Sequence, residues 1–302
     1  MTPSASGSAY FELEPSSTSA SHALSLQGSP STIKLTCTVH GPRPLPRSAP
    51  FTPHALVSTH VKFAPFAARQ RKGYIRDANE RDLSVHLETA LRGVIISDRW
   101  PKSGIEVVVT VLESDEDSWW ADEKSNGNTR PAGAGGFGIM NVLAGCITVA
   151  SAAIADAGID CVDLVAGGVA GITEPSGRSE FNHKGEPVHH GGTEKKAARI
   201  LRDPCPCEHR NMMAACVVGY LQNRDELTEL WFRGSLLGSA SGTSVSARTE
   251  GALMDQAVAS ALEARLVLES AVKEAMERRS QQTNRATPVG TKIQVQDIGM
   301  DT

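Results

Sequence analysis

The sequence predicts an α+β fold in which three main helices pack on mixed sheets. Three observations predict it. Apolar residues at period two mark short strands, apolar residues at helical spacing mark three helices, and the order is strands, helix, strand, helix, strands, helix. That order is not the strict alternation of a doubly wound parallel fold. Hydrophobic residues make up 40% of the 302, enough for a core, but aromatics only 5%, so small aliphatic side chains must fill it.

Ile33, Leu35, Cys37 and Val39 alternate with Lys34, Thr36, Thr38 and His40, the period of a half-buried strand. The following Gly-Pro-Arg-Pro-Leu-Pro-Arg run, 41–47, is expected to be a connection that joins no sheet ladder. A second strand is expected over Val57 to Phe63, and residues 16–31, rich in Ser, Ala and Gly, as an extended hairpin loop. Asp77 precedes Glu80 by three, a capping-box start, and Leu83, Leu87, Leu91 and Val94 define one buried helix face. Ile105 to Leu112 is nearly continuous and β-branched, which predicts a strand buried on both faces.

A polar insertion over about 114–138 precedes a helix from about Asn141 to Ala157. Ala144, Gly145, Ser151 and Ala152 make that helix narrow, able to lie close to a neighbour, and Gly158 is placed to stop it. Leu164 to Ile172 reads as a glycine-containing strand, followed by a second polar insertion over about 174–196. Strands are expected near Ala198–Leu201, Ala215–Leu221 and Leu227–Arg233, the last two joined by a hairpin at Gln222–Asp225. The last helix spans about Glu250 to Arg278, with Leu253, Ala257, Ala261, Ala264, Leu268, Val272 and Ala275 as its buried stripe. The expected organisation is one domain over 7–279, between a disordered start (1–6) and a polar, disordered tail (280–302).

Lys plus Arg number 30 and Asp plus Glu 34, a net charge of −4. This excludes a generally polybasic nucleic-acid glove but not a local basic stripe. Phe137 to Ile154 is the longest uncharged apolar stretch; its Gly, Ala, Ser, Thr and Asn make it too weak and short for a membrane span. No charged start precedes an apolar block, so no signal peptide is expected. The six cysteines are irregularly spaced and read as free, mostly buried thiols.

Several motifs have the composition of a site. Cys205-Pro-Cys207 with His209 offers one pair with a spacing of one, where structural zinc wants two wider pairs, and reads as a turn. His183, His189 and His190 read as part of a solvated loop. Gly133 to Gly138 formally satisfies G-x-G-x-x-G, but a polar insertion separates it from the strand that dinucleotide binding requires. No metal site and no cofactor is therefore expected, and no nucleophile elbow supports a hydrolase. The run Arg69, Arg71, Lys72 and Arg76, with Tyr74 interleaved, is the candidate RNA contact; its alternative is a solvated approach to the first helix.

Further strings stand in register: Gly7-Ser-Ala-Tyr-Phe-Glu12, Thr38-Val-His-Gly-Pro42, Val61-Lys-Phe-Ala-Pro-Phe-Ala67, Pro101-Lys-Ser-Gly-Ile-Glu-Val107, Val111-Leu-Glu-Ser-Asp115, Ala155-Asp-Ala-Gly-Ile159 with Asp163-Leu-Val165, and Leu227-Thr-Glu-Leu-Trp-Phe-Arg-Gly234. In this order they resemble the RNase PH family, most of all the ring subunits of the eukaryotic RNA exosome. The resemblance implies an RNase PH-like fold, related to the second domain of ribosomal protein S5. It implies six such subunits around a channel for single-stranded RNA, caps with S1 and KH domains, and a separate processive nuclease. It also implies nuclear, nucleolar and cytoplasmic locations and a role in RNA processing and degradation, rRNA included.

Active relatives cleave RNA with inorganic phosphate, which needs cations or amides around the phosphate and an acidic group near the scissile bond. Where they carry Gly-Thr-Arg, Asn141, Val142 and Leu143 stand here; at their arginine pair, Ala78 and Asn79; at their acidic residue, about Ala214. The resemblance thus implies a non-catalytic subunit, with no catalytic residues, acting by assembly and RNA channelling. The alternative is an active phosphate-dependent 3′-to-5′ exoribonuclease. Relatives also open with a further strand before the Gly-Ser-Ala string, where only Met1 to Ser6 stand here, so one sheet edge is expected to lack a partner.

Overall fold

The computed structural model describes residues 4–14, 32–67, 77–114, 137–173, 199–204, 212–234 and 247–286. Their elements are β1 (Gly7–Leu13), β2 (Ile33–Pro44), β3 (Leu56–Phe63), α1 (Ala78–Arg92), β4 (Ser103–Glu113), α2 (Gly138–Ala157), β5 (Val165–Thr173), β6 (Arg199–Arg202), β7 (Met212–Leu221), β8 (Glu226–Gly234) and α3 (Ala247–Ala286). The first sheet has the order β1-β2-β4-β3, with β3 parallel to β4 and the other pairs antiparallel. The second has the order β6-β5-β7-β8 and is antiparallel throughout. Two mixed-order sheets and three long helices are the α+β arrangement the sequence predicts.

Local chemistry explains where α1 begins. Asp77 caps it, and Glu80 reaches back so that Oε2 accepts the Asp77 N–H at 3.1 Å. The same carboxylate accepts the Phe63 N–H through Oε1 at 2.9 Å, and Ser84 Oγ accepts the Val61 N–H at 2.9 Å. One helix turn thereby fixes its own start and seals the outer edge of β3. Leu83, Leu87, Leu91 and Val94 are buried, as their spacing predicts.

Helix α2 is the centre of the larger core. Its small residues let strands approach: a Cβ at Gly7 would sit 2.3 Å from Ala153 O, and one at Gly167 2.3 Å from Ala144 O. Gly158 ends the helix at φ 72°, a left-handed position that Gly adopts without a steric cost. This helix is long and apolar enough to cross a membrane, more so than the sequence suggested, but its side chains are almost all buried inside the fold. It starts at Gly138, a turn earlier than expected, so the end of the 114–138 insertion is helical.

Five further expectations are corrected. The proline run does not end β2; after a register shift between His40 and Arg43, Arg43 and Pro44 pair with Gly104 and Ser103. Gly41 and Pro42 stand out of register there, and β1 pairs no further than Val39, so Pro44 needs no N–H for that side. Strand β4 is not buried on both faces. Ile105, Val107, Val109 and Val111 are buried under the helices, whereas Val108, Thr110 and Leu112 are half-buried on the open side of the sheet. The 1–6 segment is not wholly loose, because Ser6 N–H donates to Val39 O at 2.8 Å and Ser6 Oγ accepts from Gly41 N–H. Helix α3 continues past Arg278 to Ala286, so the first residues of the expected tail are helical. No Gly or Pro stands between Arg278 and Pro288, and Arg279 is held by Asp156. In the expected stripe of α3, Leu253, Ala257, Ala261 and Leu268 are buried, but Ala264, Val272 and Ala275 are only half-buried.

Candidate functional site

The positions to which the resemblance would assign phosphorolytic chemistry come from three elements. Asn141, Val142 and Leu143 lie in the first turns of α2, Ala214 near the start of β7, and Ala78 and Asn79 at the start of α1. Val142, Leu143 and Ala214 are completely buried. Ala214 is paired with Ile172 on one side and Gly234 on the other. Gly234 has φ 109°, and a Cβ there would lie 2.3 Å from Met213 O, so the neighbouring backbone closes over this position.

Asn141 is the polar member of the group and is itself buried. Its Nδ2 donates to Pro204 O at 2.9 Å, while Oδ1 has no partner among the described residues. An amide in this state fastens α2 to the turn after β6; it brings no positive charge for an oxyanion. Asn79 is buried and Ala78 is exposed but apolar, so neither replaces a phosphate-binding arginine.

One acid near this corner escaped the sequence reading. Asp203, beside Pro204, has φ 43°, and its Oδ1 accepts from Ser260 Oγ at 2.6 Å. Desolvation of the carboxyl, with Glu263 nearby, raises its pKa in spite of the Ser260 hydrogen bond. Its backbone N–H donates to Val169 O. The only sequence signal was an acid at the end of a short strand, and its visible work is to tie that strand's end to β5 and α3.

A second missed element is an ion pair that locks α3. Arg265 grips Asp163 bidentately, with Nη2–Oδ1 and Nη1–Oδ2 both 2.8 Å, and the two side chains are 4% and 5% exposed. Arg265 also donates to Leu164 O and Glu269, and Asn223 in the β7–β8 turn donates twice to Asp163. Burial pulls the Asp163 carboxyl upward, but Arg265 and the N–H groups of Asn223 and Leu164 outweigh it and hold the pKa below the usual range. All three Arg265 nitrogens and both Asp163 oxygens have partners, which fits a structural lock.

The thiols among the described residues offer no nucleophile. Cys37, Cys146, Cys161 and Cys216 are free, as expected, and burial pushes Cys37 and Cys161 up to about 12 and Cys216 to about 11. The candidate RNA contacts Arg69, Arg71, Lys72 and Arg76 lie outside the described residues, as do Cys205, Cys207, His209, the three loop histidines and the glycine cluster up to Gly136.

Known proteins place this fold. A family model described as the 3′ exoribonuclease family, domain 1 (RNase PH), matches residues 1–160. A Chaetomium thermophilum protein named exosome complex component MTR3 is 53% identical over 239 residues, covering 79% of this chain and 72% of the relative. Its Schizosaccharomyces pombe namesake is 29% identical over 231 residues, covering 76% and 66%. Exosome complex component Rrp41 of Methanopyrus kandleri is 32% identical over 142 residues, 47% of this chain and 49% of that protein. The crystal structure of rice (Oryza sativa) Rrp46 superposes with a TM-score of 0.53 at 14% identity, covering 80% of this chain and 84% of that one, a likeness of fold. With the two sheets, the small-residue helix and the matched strings all in register, the chain belongs to the RNase PH family of 3′ exoribonucleases.

Proposed function

We propose that this chain is a non-catalytic ring subunit of an RNA exosome, supporting 3′-to-5′ RNA processing and degradation by assembly and by channelling RNA. The observation that carries the reading is the chemistry of the corner around α2 and β7. Val142, Leu143 and Ala214 are apolar and fully buried where a phosphate and an acid would have to sit. Phosphorolysis concentrates negative charge in its transition state, and these side chains offer it neither a cation nor a hydrogen-bond donor. The names of the relatives support the assembly part of the reading.

On this reading the partners are other RNase PH-like ring subunits, S1/KH cap subunits and single-stranded RNA in the channel, and the chain works in the nucleus, nucleolus and cytoplasm. Arg69, Arg71, Lys72 and Arg76 precede α1 and would steer the RNA backbone by charge, without reading sequence.

Incubating the purified chain with single-stranded RNA, magnesium and phosphate tests the reading. No nucleoside diphosphate above background is expected. Phosphate-dependent release would overturn it in favour of an active phosphorolytic exoribonuclease. Replacing all four cations by Ala should leave folding and assembly unchanged, weaken RNA binding by a reconstituted ring equally for different sequences, and flatten its salt dependence. Fluorescence anisotropy at several salt concentrations reads the result; an unchanged affinity and slope would remove RNA steering.

A further inference from the structure

Among the described residues β1 stands at the edge of the first sheet, with β2 as its strand neighbour. Its Ser8 N–H points away from β2 and donates to Asp156 Oδ2 at 3.0 Å. The period of a strand turns the Tyr10 and Glu12 amides the same way, and no side chain among the described residues takes either. The apolar side of β1 is unfinished as well. Ala9 and Phe11 pack on the larger core yet stay half-buried, as does Ala157 at the end of α2. Leu13, on the same side of the strand, is 38% exposed. Their partners one strand further in, Cys37 opposite Ala9 and Leu35 opposite Phe11, are buried almost completely. One more strand outside β1 would cover Ala9 and Phe11 as β1 covers Cys37 and Leu35.

The chain itself brings a segment to this edge. Arg279 of α3 donates to Asp156 O and pairs with Asp156 Oδ1 at 2.9 Å, and the same carboxylate holds Ser8. Helix α3 thus passes the start of β1, and Arg279 to Ala286 adds about 10 Å of helix beyond it. Pro288 cannot continue a helix, and Gly290 permits a turn. Residues 287–291, when extended, reach about 16 Å, enough to return to β1. Lys292-Ile-Gln-Val-Gln296 follows, with β-branched Ile293 and Val295 alternating with polar residues.

We propose that Lys292 to Gln296 of this chain's own C-terminal tail adds to the outer edge of β1 as a fifth strand of the first sheet, with Ile293 and Val295 on the α2 side beside Ala9 and Phe11. The outward amides of β1 select an extended segment, because only a strand supplies N–H and C=O groups at matching intervals. The period of two then puts both apolar tail residues on the face where Ala9 and Phe11 are half-covered, and Gln294 and Gln296 beside Tyr10 and Glu12 on the open face. The short tether from α3 holds the segment at an effective concentration on the order of millimolar, so weak pairing is sufficient. The consequence is an edge sealed within the chain. This goes beyond the ring reading and is independent of it, since it concerns one chain alone.

Backbone amide exchange is measured in the full chain and in a variant ending at Ala286, each at two protein concentrations. At least about tenfold faster exchange over Tyr10 to Leu13 is expected without the tail, with β3 unchanged. Ile293→Lys with Val295→Lys in the full chain should have the same effect, whereas Gln294→Lys with Gln296→Lys should not, because that side faces water. A dye-labelled peptide of residues 287–302 should bind the shortened chain at least about tenfold more tightly than the full chain, read by fluorescence anisotropy. Circular dichroism checks that each variant folds; if the shortened chain does not, the two lysine pairs decide. Equal exchange in β1 with and without the tail overturns the proposal, as does a peptide that binds both chains alike. Equal loss of protection in the two lysine pairs overturns the strand register. Protection that grows with protein concentration overturns the proposal in favour of a second copy at this edge.

Discussion

The two sheets reach a buried core by opposite means. In the first, alternation does the work: β2 and β4 turn Leu35, Cys37, Val107 and Val109 inward and Thr36, Thr38, Val108 and Thr110 outward, and helices cover one face only. In the second, β5 is buried on both faces between α2 and α3. What permits this is glycine. A Cβ at Gly167 would meet Ala144 of α2, and one at Gly168 would lie 2.1 Å from Ala257 O of α3. A β-branched run therefore does not by itself mark a strand covered on both sides. Side-chain bulk on both faces holds a helix at ordinary distance, whereas successive glycines admit a helix backbone on each.

The largest effect expected from breaking this contrast is on the lock that holds α3 to the second sheet. Arg265→Ala leaves the Asp163 carboxylate buried and uncompensated and should cost about 3–5 kcal/mol in urea unfolding. A loss under 1 kcal/mol would mean that α3 is held by packing alone.

Next comes Gly168→Ala. Its methyl would meet helix backbone, which cannot rotate away as a side chain can, so a loss of about 1–3 kcal/mol is expected. The same substitution at Gly251, which has open space around it, should be neutral or slightly stabilising. Equal effects at the two sites would refute the close-approach account.

The two faces of β4 provide a third comparison. Val109→Ala should cost about 2 kcal/mol, because that side chain is fully buried, and Val108→Ala less than about 1 kcal/mol. Similar costs would show that the outer face is covered after all.

The smallest effect is in pH. Asp163 has a folded-state pKa below its unfolded value, so its stabilising contribution is present above the unfolded pKa and is lost as pH falls through the folded one. Stability measured from neutral pH downward should fall in acid, beginning near about pH 4. Asp163→Asn should start less stable and decline less over that range. Parallel declines in the two proteins would assign the acid sensitivity to other carboxylates.

Much of the fold was legible because its signals are local. Asp77 and Glu80, the spacing of Leu83, Leu87 and Leu91, the alternation from Ile33 to Val39 and the turn at Gln222–Asp225 each lie within one or two turns of chain. The candidate site was legible in part. The apolar character of Val142, Leu143 and Ala214 could be read directly, but the burial of Asn141 against Pro204 and the placement of Asp203 beside Ser260 join segments far apart in sequence.

By itself, the sequence determined most of the segments that become strands and helices, though not β1, since hydrophobic period, caps and turn residues act over a few neighbours. It also determined that Val142, Leu143 and Ala214 carry neither a charge nor a side-chain hydrogen-bond donor, because composition at a position needs no geometry. Only the tertiary structure decided which β-rich strand is covered on both faces, that β2 continues past its prolines, and that Glu80 and Ser84 seal β3. The physical reason is common to all of these. Burial and edge capping depend on what a distant segment brings to within hydrogen-bond or van der Waals distance, and no local period records the partner.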